Sequence, residues 1–198
     1  MSKILVLYYS RHGSVSALAH EVAVGVESVA GAEATLRTVP PVSTVAESTE
    51  PSIPEHGDIY VSAEDLQTCS GLILGSPCRF GTMAAPLKYF FDQHTSDWLN
   101  GTLKDKAAAV FTSSSSHNGG QESTLLGMML PLIHHGMVLI GIPFAGTTLG
   151  QTDGGGSPYG AGHIDGQGSP LTESEKAFAH VLGRRVANCA IQIGGSSL

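Results

Sequence analysis

The fold is decided by an opening stretch of the chain, Ile4-Leu5-Val6-Leu7-Tyr8-Tyr9-Ser10-Arg11-His12-Gly13-Ser14. Its first half is an unbroken apolar run, which is typical of a strand buried on both faces of a parallel sheet. The run stops at a loop of small and polar residues. Apolar residues then recur at helical spacing from Val15 to Val29, so the chain is predicted to open with a strand, a tight loop and a helix.

The same order recurs along the chain and predicts a parallel α/β sheet. Further strands are predicted at residues 34–39, 71–75, 106–112 and 137–142. Helices are predicted after a capping box at 62–65, from Pro86, from 121 to 135, and after a second cap at 172–175. Five strands in so short a chain favour one domain over residues 1–198, with a flavodoxin-like doubly wound sheet in the order 2-1-3-4-5.

Two segments carry no periodic pattern. Residues 40–60 contain four prolines and form a long irregular stretch, which predicts a functional loop or an oligomer contact. Residues 145–170 are rich in glycine and are also predicted to be irregular.

Composition excludes several classes of protein. The 198 residues include 41% hydrophobic and 14% charged side chains, which is incompatible with intrinsic disorder. The net charge is −7 and no run of Lys or Arg occurs, so direct nucleic-acid binding is not expected.

Cysteine and histidine usage gives no sign of a crosslink or a metal. The three cysteines form no C-x-x-C pair, and the nine histidines show no ligand spacing, so we expect neither a disulfide framework nor a metal site. The apolar runs are too short to span a membrane. We therefore expect a cytoplasmic protein in a reducing compartment.

Three loops are predicted to meet where strands one, three and four end, at the edge where such sheets bind ligands. The first loop joins small hydroxyls to a glycine before a helix, which suits a phosphate. The other two combine exposed backbone with small or flat side chains, which suits the edge of a planar heterocycle. The loops contain Ser10-Arg11-His12-Gly13-Ser14, then Ser76-Pro77-Cys78-Arg79-Phe80-Gly81, then residues 112–120.

Competing chemistries of the same fold lack their motifs. The first loop lacks the lysine of nucleoside-triphosphate-binding P-loops and the G-x-G-x-x-G of dinucleotide-binding loops. The ends of strands one and three carry no carboxylates, which a phospho-acceptor receiver domain needs. Neither C-x₅-R of a cysteine phosphatase nor G-x-S-x-G of a serine hydrolase occurs. A monophosphate on a flat ring remains, which predicts FMN as the cofactor.

Five motifs resemble those of the WrbA-type NAD(P)H:quinone oxidoreductases, a flavodoxin-like family, over nearly the whole chain. They are residues 5–10 with Gly13, then Gly75-Ser76-Pro77-Cys78-Arg79-Phe80-Gly81, Gly119-Gly120-Gln121-Glu122, His134-His135-Gly136-Met137 and residues 155–161. The resemblance implies noncovalent FMN, a homotetramer, and two-electron reduction of quinones by NADH or NADPH.

The family's functional positions transfer to this sequence by motif. The cofactor-binding residues implied are Ser10, Arg11, His12, Gly13, Ser14, Val15, Pro77, Cys78, Arg79, Phe80, Gly81, Ser113, Ser114, Ser115, Ser116, His117, Gly119 and His134. Trp98 falls where the family has an aromatic wall over the flavin, and we expect it and His12 to contact substrate. His134 is a candidate for polarising the quinone oxygen, and no residue is assigned as an essential acid or base.

The hypothesis that follows is a ping-pong shuttle, in which nicotinamide and quinone take turns beside the flavin N5. Two alternatives stay open. One is a non-catalytic accessory partner of a transcriptional repressor, and the other is a one-electron carrier of the flavodoxin type.

Overall fold

The structure is a computed structural model that describes residues 1–42, 57–147, 150, 152, 154–166 and 168–195. The strands are Ser2–Tyr8 (β1), Ala32–Thr38 (β2), Gly71–Pro77 (β3), Ala107–Ser114 (β4), Val138–Leu139 (β5) and Ala161–Ile164 (β6). The helices are Ser14–Glu27 (α1), Ala63–Thr68 (α2), Ala85–Gln93 (α3), Thr95–Leu99 (α4), Gln121–His134 (α5) and Glu173–Gly195 (α6). Most of the predicted irregular segment at 40–60 lies outside the described residues.

The sheet is parallel and its strands lie in the order β2-β1-β3-β4-β5, which confirms the predicted doubly wound order. β3 and β4 are buried along their whole length, and β1 is buried from Ile4 to Tyr8. The unbroken apolar runs of the sequence are therefore the central strands, because helices cover both of their faces.

The far edge of the sheet differs from the prediction. Only Val138–Leu139 of the expected fifth strand pairs with β4, and the carboxyl half of β4 pairs instead with β6. Beyond β5 the amide of Ile142 donates to the carbonyl of Pro158 at 3.0 Å, so residues near 158 take the place of a longer strand. The sheet thus has five positions, the last of them shared by two short strands, and the segment predicted to be irregular contains β6.

Helices pack on both faces of the sheet around two apolar cores. On one face α1 and α6 cover one core, which includes Leu18 and Phe178. On the other face α2, α3 and α5 supply Leu66, Leu87 and Leu132 to the second core. This arrangement leaves the carboxyl ends of the strands uncovered by either helical layer.

α1 and α6 meet at two glycines. A Cβ at Gly25 would lie 2.3 Å from the carbonyl oxygen of His180, and one at Gly183 would lie 2.1 Å from that of Val22. Only residues without a side chain permit this backbone approach. The contact sets the position of α1 against α6.

Both predicted capping boxes form. Ser62 caps α2 and exchanges hydrogen bonds with Asp65, while Thr172 and Glu175 bond each other's backbone amides at the start of α6. α3 begins with Pro86 in its first turn, as predicted. The short helix α4 was not predicted, and it carries Trp98.

Candidate functional site

A cavity of about 160 Å³ lies at the carboxyl edge of the sheet, beside the ends of β1, β3 and β4. Its walls come from the three predicted loops and from one residue after β6, and we call it the phosphate-loop cavity. The lining residues are Ser10, Arg11, His12, Ser14, Val15, Pro77, Cys78, Arg79, Ser113, Ser114, Ser115 and Asp165. Three segments that are distant in sequence therefore meet at one edge, as the parallel topology requires.

The first wall is the amino terminus of α1. Gly13 precedes the helix with φ +94°, and a Cβ built there would meet no atom within 4 Å. No side chain caps this helix and its first turn holds no acidic residue. Its first amide groups and the positive end of its dipole are therefore available to an anion.

Ser10 provides the observation that most directly points to a ligand. Its hydroxyl is buried, yet no hydrogen-bond partner for it exists among the described residues. Burying a hydroxyl without a partner costs about 1–3 kcal/mol, so such groups are rare unless a ligand satisfies them. An oxygen-rich anion in the cavity would do so, and the donors present fit the phosphate of FMN.

A buried tyrosine fixes the strand that leads into this loop. The Tyr8 hydroxyl donates to Asp58 at 2.7 Å and lies 3.1 Å from the Ser16 hydroxyl on α1. Burial, reinforced by the Asp58 carboxylate, raises the pKa of Tyr8 to about 12, so the phenol keeps its proton at neutral pH. The end of β1 and the first turn of α1 are thereby held together.

Cys78 links the second and third loops. Its thiol donates to the carbonyl of Gly119 at 2.8 Å and accepts from the Thr124 hydroxyl at 3.1 Å, while its amide donates to Ser113 at 2.8 Å. A Cβ at Gly120 would lie 3.3 Å from the sulfur. These contacts give Cys78 a structural role in holding the loops together.

Phe80 stands at the tip of a tight turn. Arg79 and Thr82 exchange backbone hydrogen bonds of 2.9 and 3.0 Å, and both Phe80 (φ 52°) and Gly81 (φ 77°) between them are left-handed. The ring is fully exposed and does not line the phosphate-loop cavity. Its predicted contact with the flavin stays a prediction.

The third predicted loop, residues 112–120, which we call the serine loop, divides into a buried and an exposed part. Ser113 and Ser114 are buried, and Gln121 donates to the Ser114 hydroxyl at 2.9 Å. Ser116, His117 and Gly119 do not line the phosphate-loop cavity. His117 instead lines a separate cavity of about 480 Å³, together with glycines 154–156.

Asp165 is the lining residue that the sequence did not single out. It follows β6, and its carboxylate accepts hydrogen bonds from the Ser14 hydroxyl and, at 2.7 Å, from the amide of Gly168. The hydrogen bond from Ser14 lowers the pKa of Asp165, so the residue is an anion at neutral pH. The Asp165 carboxylate thus lies beside the amino terminus of α1, which is suited to anions.

A buried ion pair holds β6 against α6. The Glu175 carboxylate accepts from the His163 ring at 2.9 Å and from three backbone amides, those of Gly155, Ile164 and Thr172. Burial works to raise the pKa of Glu175, but these hydrogen bonds outweigh it and lower the pKa to about 2.

His163 carries the matching positive charge. Its other ring nitrogen lies 3.1 Å from the carbonyl of Ser169, so both nitrogens face acceptors and the doubly protonated ring satisfies both. The hydrogen bond to Glu175 raises the pKa of His163 despite burial. Sequence reasoning identified Glu175 only as a helix cap and did not identify His163.

Trp98 and His134 line a different cavity, of about 400 Å³. The Trp98 indole donates to the backbone carbonyl of His134 at 2.7 Å. We call this the aromatic cavity, and its lining residues are Lys88, Phe91, Asp92, His94, Thr95, Trp98, Pro131, His134 and His135. The buried Nδ1 of His135 has no partner among the described residues, and burial lowers the pKa of this histidine.

The two cavities lie at opposite edges of the sheet. α5 starts at Gln121 beside the serine loop, and its 14 residues rise about 20 Å before it ends at His134. α3 likewise starts at the carboxyl edge and leads away to α4 and Trp98. Within one protomer, the structure therefore does not bring Trp98 and His134 to the phosphate loop.

Within the described ranges, no three His, Cys, Asp or Glu side chains come together as metal ligands would. None of the helices described is both long and apolar enough to cross a lipid bilayer.

Known proteins match this chain over most of its length. The NADPH-dependent FMN reductase family matches residues 2–147. The NAD(P)H dehydrogenase (quinone) of Geobacter sulfurreducens is 41% identical over 97% of this chain and 99% of its own, and that of Rhizobium rhizogenes is 40% identical over 98% and 99%.

Solved structures agree in fold. A WrbA-like flavodoxin from Agrobacterium tumefaciens superposes with a TM-score of 0.67 at 25% identity, covering 97% of this chain and 99% of that one. An archaeal flavodoxin superposes with a TM-score of 0.63 at 16% identity, over 96% and 99% of the two chains. The sequence resemblance to the WrbA type is confirmed, and the chain belongs to the NADPH-dependent FMN reductase family, as an FMN-dependent oxidoreductase of flavodoxin-like fold.

Proposed function

We propose that the protein reduces quinones to hydroquinones with NADH or NADPH, using FMN bound with its phosphate in the phosphate-loop cavity. The observation that carries this proposal is the buried Ser10 hydroxyl, which lacks a partner among the described residues, beside the uncapped amino terminus of α1. The chemistry that FMN supplies when bound is hydride exchange at N5, first with the nicotinamide and then with the quinone.

The chain's own residues hold and orient the cofactor. Ser10, Ser14 and the first amides of α1 donate to the phosphate, while Arg11 and Arg79 place positive charge in the same cavity. Pro77, Cys78 and the buried part of the serine loop border the ring with backbone groups, since they line the other side of the cavity. This placement fixes the reacting atom and limits access of water.

We propose that a second copy of the chain completes the site. Trp98 and His134 lie about one helix length from the phosphate loop of their own protomer, so they would serve the flavin of a neighbour. The exposed Leu126, Leu130 and Ile133 on α5 supply an apolar face for such assembly, and the homotetramer expected from the family is the form we propose.

Spectroscopy of the FMN-saturated protein tests the reaction. NADH or NADPH should bleach the flavin absorbance, and a quinone added afterwards should restore it. Initial rates should give parallel double-reciprocal lines, since both substrates use the same space in turn. Intersecting lines would contradict the shared site, and one-electron steps in place of full bleaching would indicate an electron carrier instead.

Complementation between two variants tests the shared assembly. Ser10→Asp places a negative charge where the phosphate should lie and prevents FMN binding, whereas Trp98→Ala binds FMN but lacks the aromatic wall. After dissociation and reassembly together, the mixture should reduce quinone faster than the sum of the two separate samples. A rate equal to that sum would show that each protomer acts alone.

A cytoplasmic location stays a prediction. Cys69, Cys78 and Cys189 are all free thiols, which suits a reducing compartment. Labelling of all three by a thiol reagent in intact cells under denaturing quench would support it.

A further inference from the structure

A carboxylate lies in a cavity that should receive a phosphate. Among the described residues that line the phosphate-loop cavity, Asp165 alone carries a carboxyl group. It accepts from the hydroxyl of Ser14, the first residue of α1, which is one of the donors that a phosphate at this helix terminus would use. The carboxylate and the phosphate therefore need the same hydroxyl.

The surroundings favour an anion at this position in the absence of a ligand. α1 has no acidic residue in its first turn and no side-chain cap of its own, so Asp165 supplies the missing negative charge from another part of the chain. Arg11, His12 and Arg79 line the same cavity. These groups attract either anion, and they do not remove the repulsion between the two.

Asp165 is also firmly positioned. Its other carboxylate oxygen accepts from the amide of Gly168 at 2.7 Å, and its own amide donates to the carbonyl of Ser114 at 2.8 Å. β6, which precedes it, is held to α6 by the buried pair of His163 and Glu175. The carboxyl group is thus part of the wall of the cavity.

We propose that Asp165 is an internal competitor of the FMN phosphate, which occupies the Ser14 hydroxyl in the free protein and sets the affinity for FMN. Binding of the cofactor then requires the phosphate to displace the carboxylate from Ser14. The ratio of the affinities for FMN and riboflavin is therefore smaller than the hydrogen-bond donors of the cavity would give without the Asp165 carboxylate. This inference rests on the proposal that the cavity takes the phosphate.

The test compares Asp165→Asn with the parent protein by fluorescence titration of FMN, riboflavin and inorganic phosphate as a competitor. The asparagine keeps the size and removes the charge, and its single amide oxygen can accept from Ser14 or from Gly168 but not from both. The dissociation constant for FMN should fall about tenfold, because two like charges in a partly buried site repel strongly. Phosphate should compete better, and riboflavin affinity should stay within about twofold.

Asp105→Asn is the matched control. Asp105 is an exposed carboxylate next to Lys104, just before β4 and hence at the opposite edge of the sheet, and the substitution changes the net charge equally. It should leave all three affinities unchanged. Asp165→Ala provides a second variant. The second measurement for both variants is the melting temperature with and without FMN, and FMN should raise it more than it does in the parent protein.

The possible outcomes distinguish failure of the Asp165 inference from failure of the proposed phosphate site. If Asp165→Asn and Asp165→Ala weaken FMN and riboflavin alike, Asp165 binds the ribityl chain and the competition is wrong. If neither changes FMN affinity, Asp165 does not face the phosphate, and the inference is also wrong. If Ser10→Ala leaves FMN affinity unchanged, the phosphate lies elsewhere and the proposed site itself fails.

Discussion

The phosphate-loop cavity and the aromatic cavity differ in almost every physical respect. The first is small, has five serines and two arginines in its lining, and sits at a helix amino terminus. The second is larger and is built from Trp98, Phe91 and three histidines near the carboxyl ends of α3 and α5. One edge of the sheet suits an anion, and the other suits a flat apolar molecule.

The lining residues suited to a phosphate and the aromatic residues suited to stacking therefore lie at opposite edges of the sheet in one chain. Parallel strands send every following helix back to the opposite edge, so α5 begins just after the serine loop and ends at the aromatic cavity. The composite site that we propose would join these two edges across two copies of the chain.

The largest effect is expected at Glu175, which supports only the carboxyl edge. Glu175→Gln leaves the buried His163 without its counter-charge, and breaking such a pair costs about 3–5 kcal/mol of unfolding free energy. Chemical denaturation measures it. The fluorescence of Trp98, the single tryptophan, should be unchanged in the folded state because the aromatic cavity is at the other edge.

Glu173→Gln is the control for that variant. Glu173 forms an exposed ion pair with Lys176 in the same turn of α6, and its loss should hardly change stability. Equal losses for the two variants would contradict the role assigned to the buried pair.

The same pair predicts how stability depends on pH. The lowered pKa of Glu175 gives stability that is present above its ordinary value of 4.5 and is lost as the pH falls toward about 2. The raised pKa of His163 gives stability that is present below 6.5 and is lost as the pH rises through its folded value. Unfolding free energy should therefore include the full contribution between pH 4.5 and 6.5, and Glu175→Gln should flatten this profile.

Ser10→Ala tests whether the phosphate-loop cavity binds the phosphate of FMN. Removing one hydrogen bond to a charged phosphate should weaken FMN binding by about 10- to 100-fold and leave riboflavin binding unchanged. Isothermal titration with both flavins measures it. Ser28→Ala, at the other end of α1, removes a hydroxyl bonded to the carbonyl of Gly25 and should change neither affinity.

The smallest effect is expected at Phe80. This residue is aromatic, like the lining of the aromatic cavity, but it lies at the carboxyl edge of the sheet, where the phosphate-loop cavity is. Phe80→Gly should raise the unfolding free energy by about 1 kcal/mol, since glycine adopts the left-handed conformation without strain and the exposed ring buries nothing. Phe80→Ala keeps the strain and should bring no gain. Equal stability of the two variants would show that the turn is not strained.

The sequence predicted the parts of this molecule that depend on local pattern. The apolar runs identified the central strands, and the glycine and hydroxyls after the first run identified a loop that lines the cavity at the sheet edge, because both signals lie in contiguous residues. The meeting of three loops followed from the parallel order alone.

The features that could not be predicted depend on contacts between residues that are far apart in the sequence. β6 has only four residues, Ala161-Gly162-His163-Ile164, with no apolar run, and it is a strand because β4 offers it an open edge. Asp165 and His163 act through Ser14 and Glu175, which are far away in sequence. The Glu175 side chain was identifiable as a cap, but its burial was not.

The close approach of Gly25 and Gly183 makes the position of α1 depend on the last helix, α6. We therefore expect α6 to affect whether the protein keeps its yellow flavin. α6 is the surface against which α1 rests, and the first turn of α1 contains the donors that we propose for the phosphate. A chain cut before residue 173 would leave that helix unsupported on one side. We expect it to be purified colourless, although every residue around the flavin would still be present.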